Sequence, residues 1–202
     1  MENTKEEILH TALRLFARDG YEAVSVSSIA GALGMTKGAL YKHYENKRDI
    51  FESILRRMEQ RDAEQAARFD LPETAFEGAE EQYRRAAPER VAEFGKAMFR
   101  YWTQDEFAAS FRRMLTLEQF RNEEMMRLYQ QYLAAGPLGY LCDLFRPLGE
   151  NAAREAALGF YAPLFFLYGL YDGAQDKAAV TAMADGSIDG ALARILSQIH
   201  HE

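Results

Sequence analysis

Apolar residues recur along most of this chain at the three-to-four-residue spacing of helices that bury one face. Ile8, Ala12, Leu15 and Phe16 form an i, i+4, i+7, i+8 stripe. Gly20 stands just past its end, where a left-handed residue closes a helix and Tyr21 can fold back on the last turn. Ser25 is a good N-cap for a second, short helix that turns Val26, Ile29, Ala30 and Leu33 inward and breaks at Gly34. Thr36 caps a third helix, running through Leu40 to about His43, and Asn46 caps a fourth, striped by Ile50, Phe51, Ile54, Leu55 and Met58. Proline and glycine punctuate the rest. Pro72 and Pro88 suit the first turns of new helices, and Gly136-Pro137 and Pro147-Leu148-Gly149 predict stops. Two long helices dense in Phe, Met and Tyr are expected between Pro88 and Gly136. Another follows Gly149 to about Tyr171 and ends at Asp172-Gly173. After a short piece, Ser187 starts a last helix with Ile188, Leu192, Ile195, Leu196 and Ile199 on one face. Strand signals are nearly absent, Val24-Ser25-Val26 being the only short β-like stretch. The chain therefore reads as all-α: a three-helix domain over 1–50 and a larger helical domain over 51–202.

The segment from Ser25 to His43 has the layout of a helix-turn-helix. Two short helices meet at Gly34-Met35-Thr36, where Gly34 can take positive φ and Met35 plugs the angle between them. The second of these helices is too short to stabilise itself. It packs through Ala39 and Leu40 and leaves Thr36, Lys37, Gly38, Tyr41 and Lys42 facing outward. Lys37 can reach base edges or phosphate, Gly38 lets the helix sit deep in a major groove, and Tyr41 offers a hydroxyl to a phosphate oxygen. His43 and Lys47 add phosphate-binding capacity. Lys47 lies in a first helical turn, where backbone amides and the dipole favour an anion, and the N-cap Ser25 is a second such place. The same side chains could form an ordinary surface, and His43 could pack on Tyr44; the helix-turn-helix around them points to DNA.

Charge changes this picture less than it first suggests. The net charge of −7 argues against a nucleic-acid binder taken whole. Residues 1–56, however, hold eight basic and eight acidic side chains, so the acidic excess belongs entirely to the later part. Cys142 is the single cysteine among 202 residues, which excludes an intramolecular disulfide and a cysteine-based zinc site. It reads as a small buried hydrophobe in a reducing, cytoplasmic setting. The polar, acidic N-terminus is no signal peptide. The longest uncharged run, the 16 residues Ala156–Tyr171, falls short of the ~20 of a membrane span, so it reads as a buried helix with no membrane partner.

Residues 5–56 resemble the DNA-binding domain of TetR-family transcriptional regulators. The resemblance rests on Ala12-Leu13-Arg14-Leu15-Phe16, Gly20-Tyr21, Ser25-Val26 with Ile29-Ala30, Gly34-Met35-Thr36-Lys37-Gly38-Ala39-Leu40-Tyr41, and Lys42-His43-Tyr44 followed by Lys47. Two departures stand out: Tyr44 where the family usually has Phe, and Ser27-Ser28 where many relatives carry charge. For residues 57–202 the resemblance implies a variable all-α domain that binds a small effector and forms a homodimer. It implies a repressor on a pseudo-palindromic double-stranded operator. Phe160–Tyr168 and Leu170-Tyr171-Asp172-Gly173 look like the dimer helix of one subgroup. The expected seam joins Leu164 and Tyr168 to the face of Ile188, Leu192, Ile195 and Ile199, two helices from each subunit building a four-helix interface.

Between Phe94 and Tyr132 aromatics and methionines are dense. Most are expected to be core, but some could line an effector cavity, with Trp102 first and then Phe99, Phe111 and Tyr129. No Lys occurs between Lys96 and Lys177, and eight of the eleven tyrosines follow residue 57, so a mainly apolar or aromatic, neutral or cationic effector is expected. Glu7-x-x-His10 has the spacing of one di-iron half-site, but no second such pair exists, and a solvated helix face accounts for it. With four histidines so placed, one cysteine and no phosphate-cradling glycine loop, no enzyme, metal site or cofactor is expected. Two rivals differ in class: a DNA-bound member without a small effector, acting structurally or through a protein partner, and a helical enzyme with a decorative helix-turn-helix.

Overall fold

The computed structural model describes residues 2–68 and 88–199. The helix start expected at Pro72 lies outside them. The described residues are all-α and contain no strand: α1 (Glu2–Asp19), α2 (Val26–Ala32), α3 (Lys37–Leu40), α4 (Lys47–Arg68), α5 (Pro88–Gln104), α6 (Glu106–Glu118), α7 (Glu123–Leu133), α8 (Ala135–Leu144), a 3-10 turn (Arg146–Leu148), α9 (Glu150–Gly173) and α10 (Lys177–Ile199). Two compact units divide them, one of residues 1–63 with 106–129, the other of 64–105 with 130–202. The 50/51 division read from the sequence falls within α4, and the unit holding the helix-turn-helix also takes in α6 and the start of α7.

In the first unit α1 lies along α6. Ile8, Leu13, Phe16, Ile50, Phe51, Phe107 and Phe111 are essentially sealed from solvent. Each side chain of this size contributes roughly 1.5–3 kcal/mol on burial. The His10 ring meets Phe107 edge-on at 5.1 Å, and the Arg61 guanidinium covers the same ring at 5.3 Å. Helix ends follow the local signals. Gly20 has φ +88°, Thr36 Oγ1 accepts from Ala39 N (3.1 Å), and Asn46 Oδ1 accepts from Asp49 N (2.9 Å).

In the second unit α9 packs on α8, α10 and α5, and α5 also packs on α10. Phe99 stacks on Tyr168 (5.5 Å, 10° between planes) and meets Tyr171 edge-on. Three expectations are corrected. The stretch between Pro88 and Gly136 forms three helices, not two, because Asn122 Oδ1 accepts from Met125 N (2.9 Å) and starts α7 afresh. Gly136-Pro137 opens α8 instead of stopping a helix, since a first turn needs no proline N–H. The last helix begins at Lys177, ten residues before Ser187. Asp176 Oδ1 accepts from Ala179 N (2.9 Å), and Val180 and Ala184 extend the buried stripe of Ile188, Ala191 and Ile195. Cys142 is half-buried.

Gly95 marks a close approach of α5 to α9: a Cβ there would lie 2.8 Å from Phe160 Cζ. Phe160 is itself buried and packed edge-on against Phe145 at 6.0 Å, so its ring has little room to move. Gly95→Ala is expected to destabilise the protein by about 1–3 kcal/mol, despite alanine's better helix propensity. Urea unfolding measures the change.

Candidate nucleic-acid interface

The helix-turn-helix is built from short-range bonds around a single buried anchor. Ser25 Oγ accepts from Ser28 N (3.0 Å) while Ser28 Oγ accepts from Ser25 N (2.9 Å), a reciprocal box that starts α2. Ser28 thus closes the helix end at one of the two positions where charge was the more usual choice. Gly34 turns the chain at φ +64°, and Met35 N donates back to Ala30 O (3.0 Å). Only Leu40 of α3 is fully buried. Regular α-helix stops there, three residues before the expected end, because His43 N bonds to Leu40 O (2.9 Å) in a tighter turn.

This leaves one outward surface. Thr36, Lys37, Gly38, Tyr41 and Lys42 are all exposed, as is Ser25 at the start of α2, whereas His43 is half-buried. Lys37 Nζ lies 5.6 Å over the Tyr41 ring, which keeps both side chains on the outer face. No carboxylate interrupts residues 36–42, so the surface is locally cationic although the chain is acidic.

Lys47 is placed differently from the other cations. Its ammonium donates to Tyr21 O (2.8 Å), stands 4.3 Å over the Tyr21 ring, and lies 3.9 Å from a Glu22 carboxylate oxygen. It fastens the α1–α2 turn to the start of α4. No sequence signal joins residues 26 positions apart in this way. Beside it, Arg48 holds Glu124 with two bonds of 2.7 Å and reaches Glu52 at 2.8 Å. Those bonds raise the Arg48 pKa, and Arg48 in turn holds the Glu124 carboxyl below its ordinary value. Tyr44 is buried and its hydroxyl donates to Lys5 O (3.4 Å), so the extra oxygen relative to Phe has a partner.

The effector candidates fall in both units. Phe99 and Trp102 belong to the second, where Phe99 is sealed in the core and Trp102 is buried beside Tyr101. Phe111 and Tyr129 belong to the first, Phe111 sealed and Tyr129 half-buried. Burial pushes the Tyr129 phenol up, opposed by its hydrogen bond with Gln119. A groove of about 430 Å³ opens nearby, lined by Gln119, Phe120, Asn122, Glu123, Met126 and Arg127.

The residues expected in the dimer seam differ in their exposure. Leu164, Tyr168, Ile188 and Ile195 are buried within the chain itself. Leu192 is half-buried, and the side chain of Ile199 lies outside the described residues. On α9 and α10 the large apolar side chains left exposed are their neighbours Leu158, Phe165, Phe166 (70% exposed), Leu170 and Met183. The hydrophobic stripe is wider than one face, and periodicity cannot tell which half meets the subunit core.

A short helix-turn-helix with a bare cationic outer surface defines a class of domain that lays one helix in a DNA groove. Residues 8–54 match the family described as bacterial regulatory proteins, tetR family, so this segment is a TetR-type DNA-binding domain. Over 72 residues the chain is 43% identical to the HTH-type transcriptional repressor BepR of Brucella suis biovar 1, covering 34% of each chain. It spans about a quarter to a third of the length of the curated relatives it matches. Its fold is similar along nearly its whole length to a TetR-family regulator from Bordetella parapertussis (TM-score 0.63, 19% identity, 95% of each chain). It is also similar to a protein from Saccharomonospora viridis solved in complex with choline (TM-score 0.57, 22% identity, 100% of this chain and 98% of that one). Among the described residues no group of three or more His, Cys, Asp or Glu is placed to hold a metal ion, and no helix is long and apolar enough to cross a membrane.

The Tyr44 phenol has its pKa pushed up to about 12, by burial first and then by the Glu6 and Asp49 charges. The raised value means its stabilising contribution is complete below pH ~10, the ordinary tyrosine value, and lost as pH climbs through about 12. Tyr44→Phe is expected to cost about 1 kcal/mol at neutral pH, for one hydrogen bond. It should lose less stability than the wild type between those two pH values. Parallel denaturant titrations at pH 8 and pH 11 check both signs.

Proposed function

We propose that this chain is a cytoplasmic, sequence-specific DNA-binding transcriptional regulator that acts as a homodimer. The observation that carries the reading is the α3 surface: an anchored helix whose exposed side is Thr36, Lys37, Gly38, Tyr41 and Lys42, with no acid among them. Lys37 faces base edges, with Gly38 permitting close approach. Ser25, Thr36, Tyr41, Lys42 and His43 serve the phosphates. Lys47 contributes charge to the same phosphates while its ammonium holds the turn at Tyr21. Two copies of α3 in one dimer would read a pseudo-palindromic site, with half-sites one helical turn or a multiple apart. The name of the BepR relative supports repression as the direction of control.

The dimer reading is supported by the exposed stripe of α9. Leu158, Phe165, Phe166 and Leu170 lie on one face of a helix whose other face is filled by the chain's own core, and Met183 on α10 is exposed as well. Apolar surface this concentrated marks a protein interface. The effector is a small, mainly apolar, neutral or cationic molecule that releases the regulator from DNA. The aromatic and methionine-rich stretch around Trp102 and Phe99 supplies the chemistry for such a ligand. The choline in the complex of the similarly folded Saccharomonospora viridis protein supports a small cation as one candidate effector.

Three outcomes test this reading on a duplex selected by the wild-type protein from a random-sequence pool. Lys37→Ala should change which duplexes are selected, whereas Tyr41→Phe should weaken all of them alike. Lys42→Ala should also lower the salt slope of binding by about one per subunit. Fluorescence anisotropy across a salt series reads these; unchanged affinity and preference in all three variants would refute the assignment. For assembly, Phe166→Glu should give monomers by light scattering with little change in thermal midpoint. Leu164→Glu, by contrast, should unfold the subunit, because it places a charge in its core.

A further inference from the structure

We infer that Glu118, at the end of α6, is a positioning residue for DNA binding: it seats the α1–α2 turn from which the helix-turn-helix starts. The inference rests on the DNA-binding reading and adds a residue from outside the family-matched segment, 8–54. Glu118 is only 1% exposed. Its Oε1 accepts from Tyr21 N (3.3 Å). A Cβ on residue 20 would lie 2.6 Å from that same oxygen, so the carboxylate rests directly on the bare backbone of Gly20. Tyr21 is gripped at its other end too, where its carbonyl accepts from Lys47 Nζ (2.8 Å). Its ring meets Phe16 and Phe51, each at 5.0 Å. One residue is thus held between an acid on α6 and a cation on α4. Four positions later comes Ser25, the N-cap of α2 and a candidate phosphate ligand.

The energetics of Glu118 do not favour it as a stability device. A buried carboxylate is costly, and here it sits beside the C-terminal end of α1, the negative end of that helix dipole. An apolar side chain of similar size suits such a place better for stability. What the carboxylate supplies, and leucine cannot, is a directional acceptor for one backbone N–H. A residue that lowers stability while fixing the geometry of a turn should separate stability from affinity when it is replaced.

The full-length chain carrying Glu118→Leu or Glu118→Gln is compared with wild type on the duplex that the wild type selects from a random-sequence pool. Glu118→Leu is expected to weaken binding about tenfold, the scale of one lost hydrogen bond, with a thermal midpoint equal to or above that of wild type. Glu118→Gln keeps an acceptor oxygen and should restore affinity to within about twofold of wild type. Hydrogen exchange at the Tyr21 amide should quicken in the leucine variant alone. Unchanged affinity in Glu118→Leu overturns the inference, as does a parallel fall of affinity and midpoint that glutamine does not rescue. If the wild type selects no duplex at all, the DNA-binding reading itself falls and this role with it. Wild-type binding with indifferent variants removes only the role of Glu118.

Discussion

Four residues of regular helix cannot hold themselves together in water, because so short a segment never recovers the entropy of its first turn. That constraint governs the first compact unit. α3 exists because Leu40 is inserted into a core built by its neighbours, and because Thr36 supplies its cap from the outside. With one residue anchoring it, the rest of its surface stays bare. The same brevity that makes α3 dependent on its surroundings therefore gives it a free face for a partner. Its flanks frame that anchor: the Gly34 turn before it, and Tyr44 and Lys47 soon after.

Polar interactions here set geometry more than they supply stability. Ser25 and Ser28 satisfy each other at a helix end, Lys47 takes the Tyr21 carbonyl, and Tyr44 finds the Lys5 carbonyl. The exposed pairing of Arg48 with Glu124 contributes at most about 1 kcal/mol. It nonetheless ties α4 to α7 within a unit assembled from two separate stretches of chain. Burial of aromatic rings dominates the energy, while these bonds choose one arrangement among the many a greasy core would tolerate.

The second unit shows the opposite economy. α9 is apolar on more than one side, and only one side can be filled from within the subunit. Phe160, Leu164, Leu167 and Tyr171 turn inward, leaving Phe165, Phe166 and Leu170 in solvent. A helix hydrophobic most of the way round needs cover on its remaining face. The subunit's own core and the surface proposed for its partner are thus two faces of a single element.

Much of the first unit was legible from local chemistry. Gly20, Ser25, Gly34, Thr36 and Asn46 each act on the few residues around them, and the structure places helix ends at every one. The all-helical class followed from spacing alone. Signals failed where a residue admits two local roles: Gly136-Pro137 can end or open a helix, and Ser187 can cap a helix or ride inside one. Tertiary structure decided what depends on residues distant in sequence. Ile188 and Leu164 carry the same hydrophobic signature as Phe166, and only tertiary packing assigns the first two to the core. Likewise nothing near Lys47 or Glu118 announces that both reach Tyr21. Periodicity encodes that a face is buried; which neighbour buries it is set by the fold as a whole.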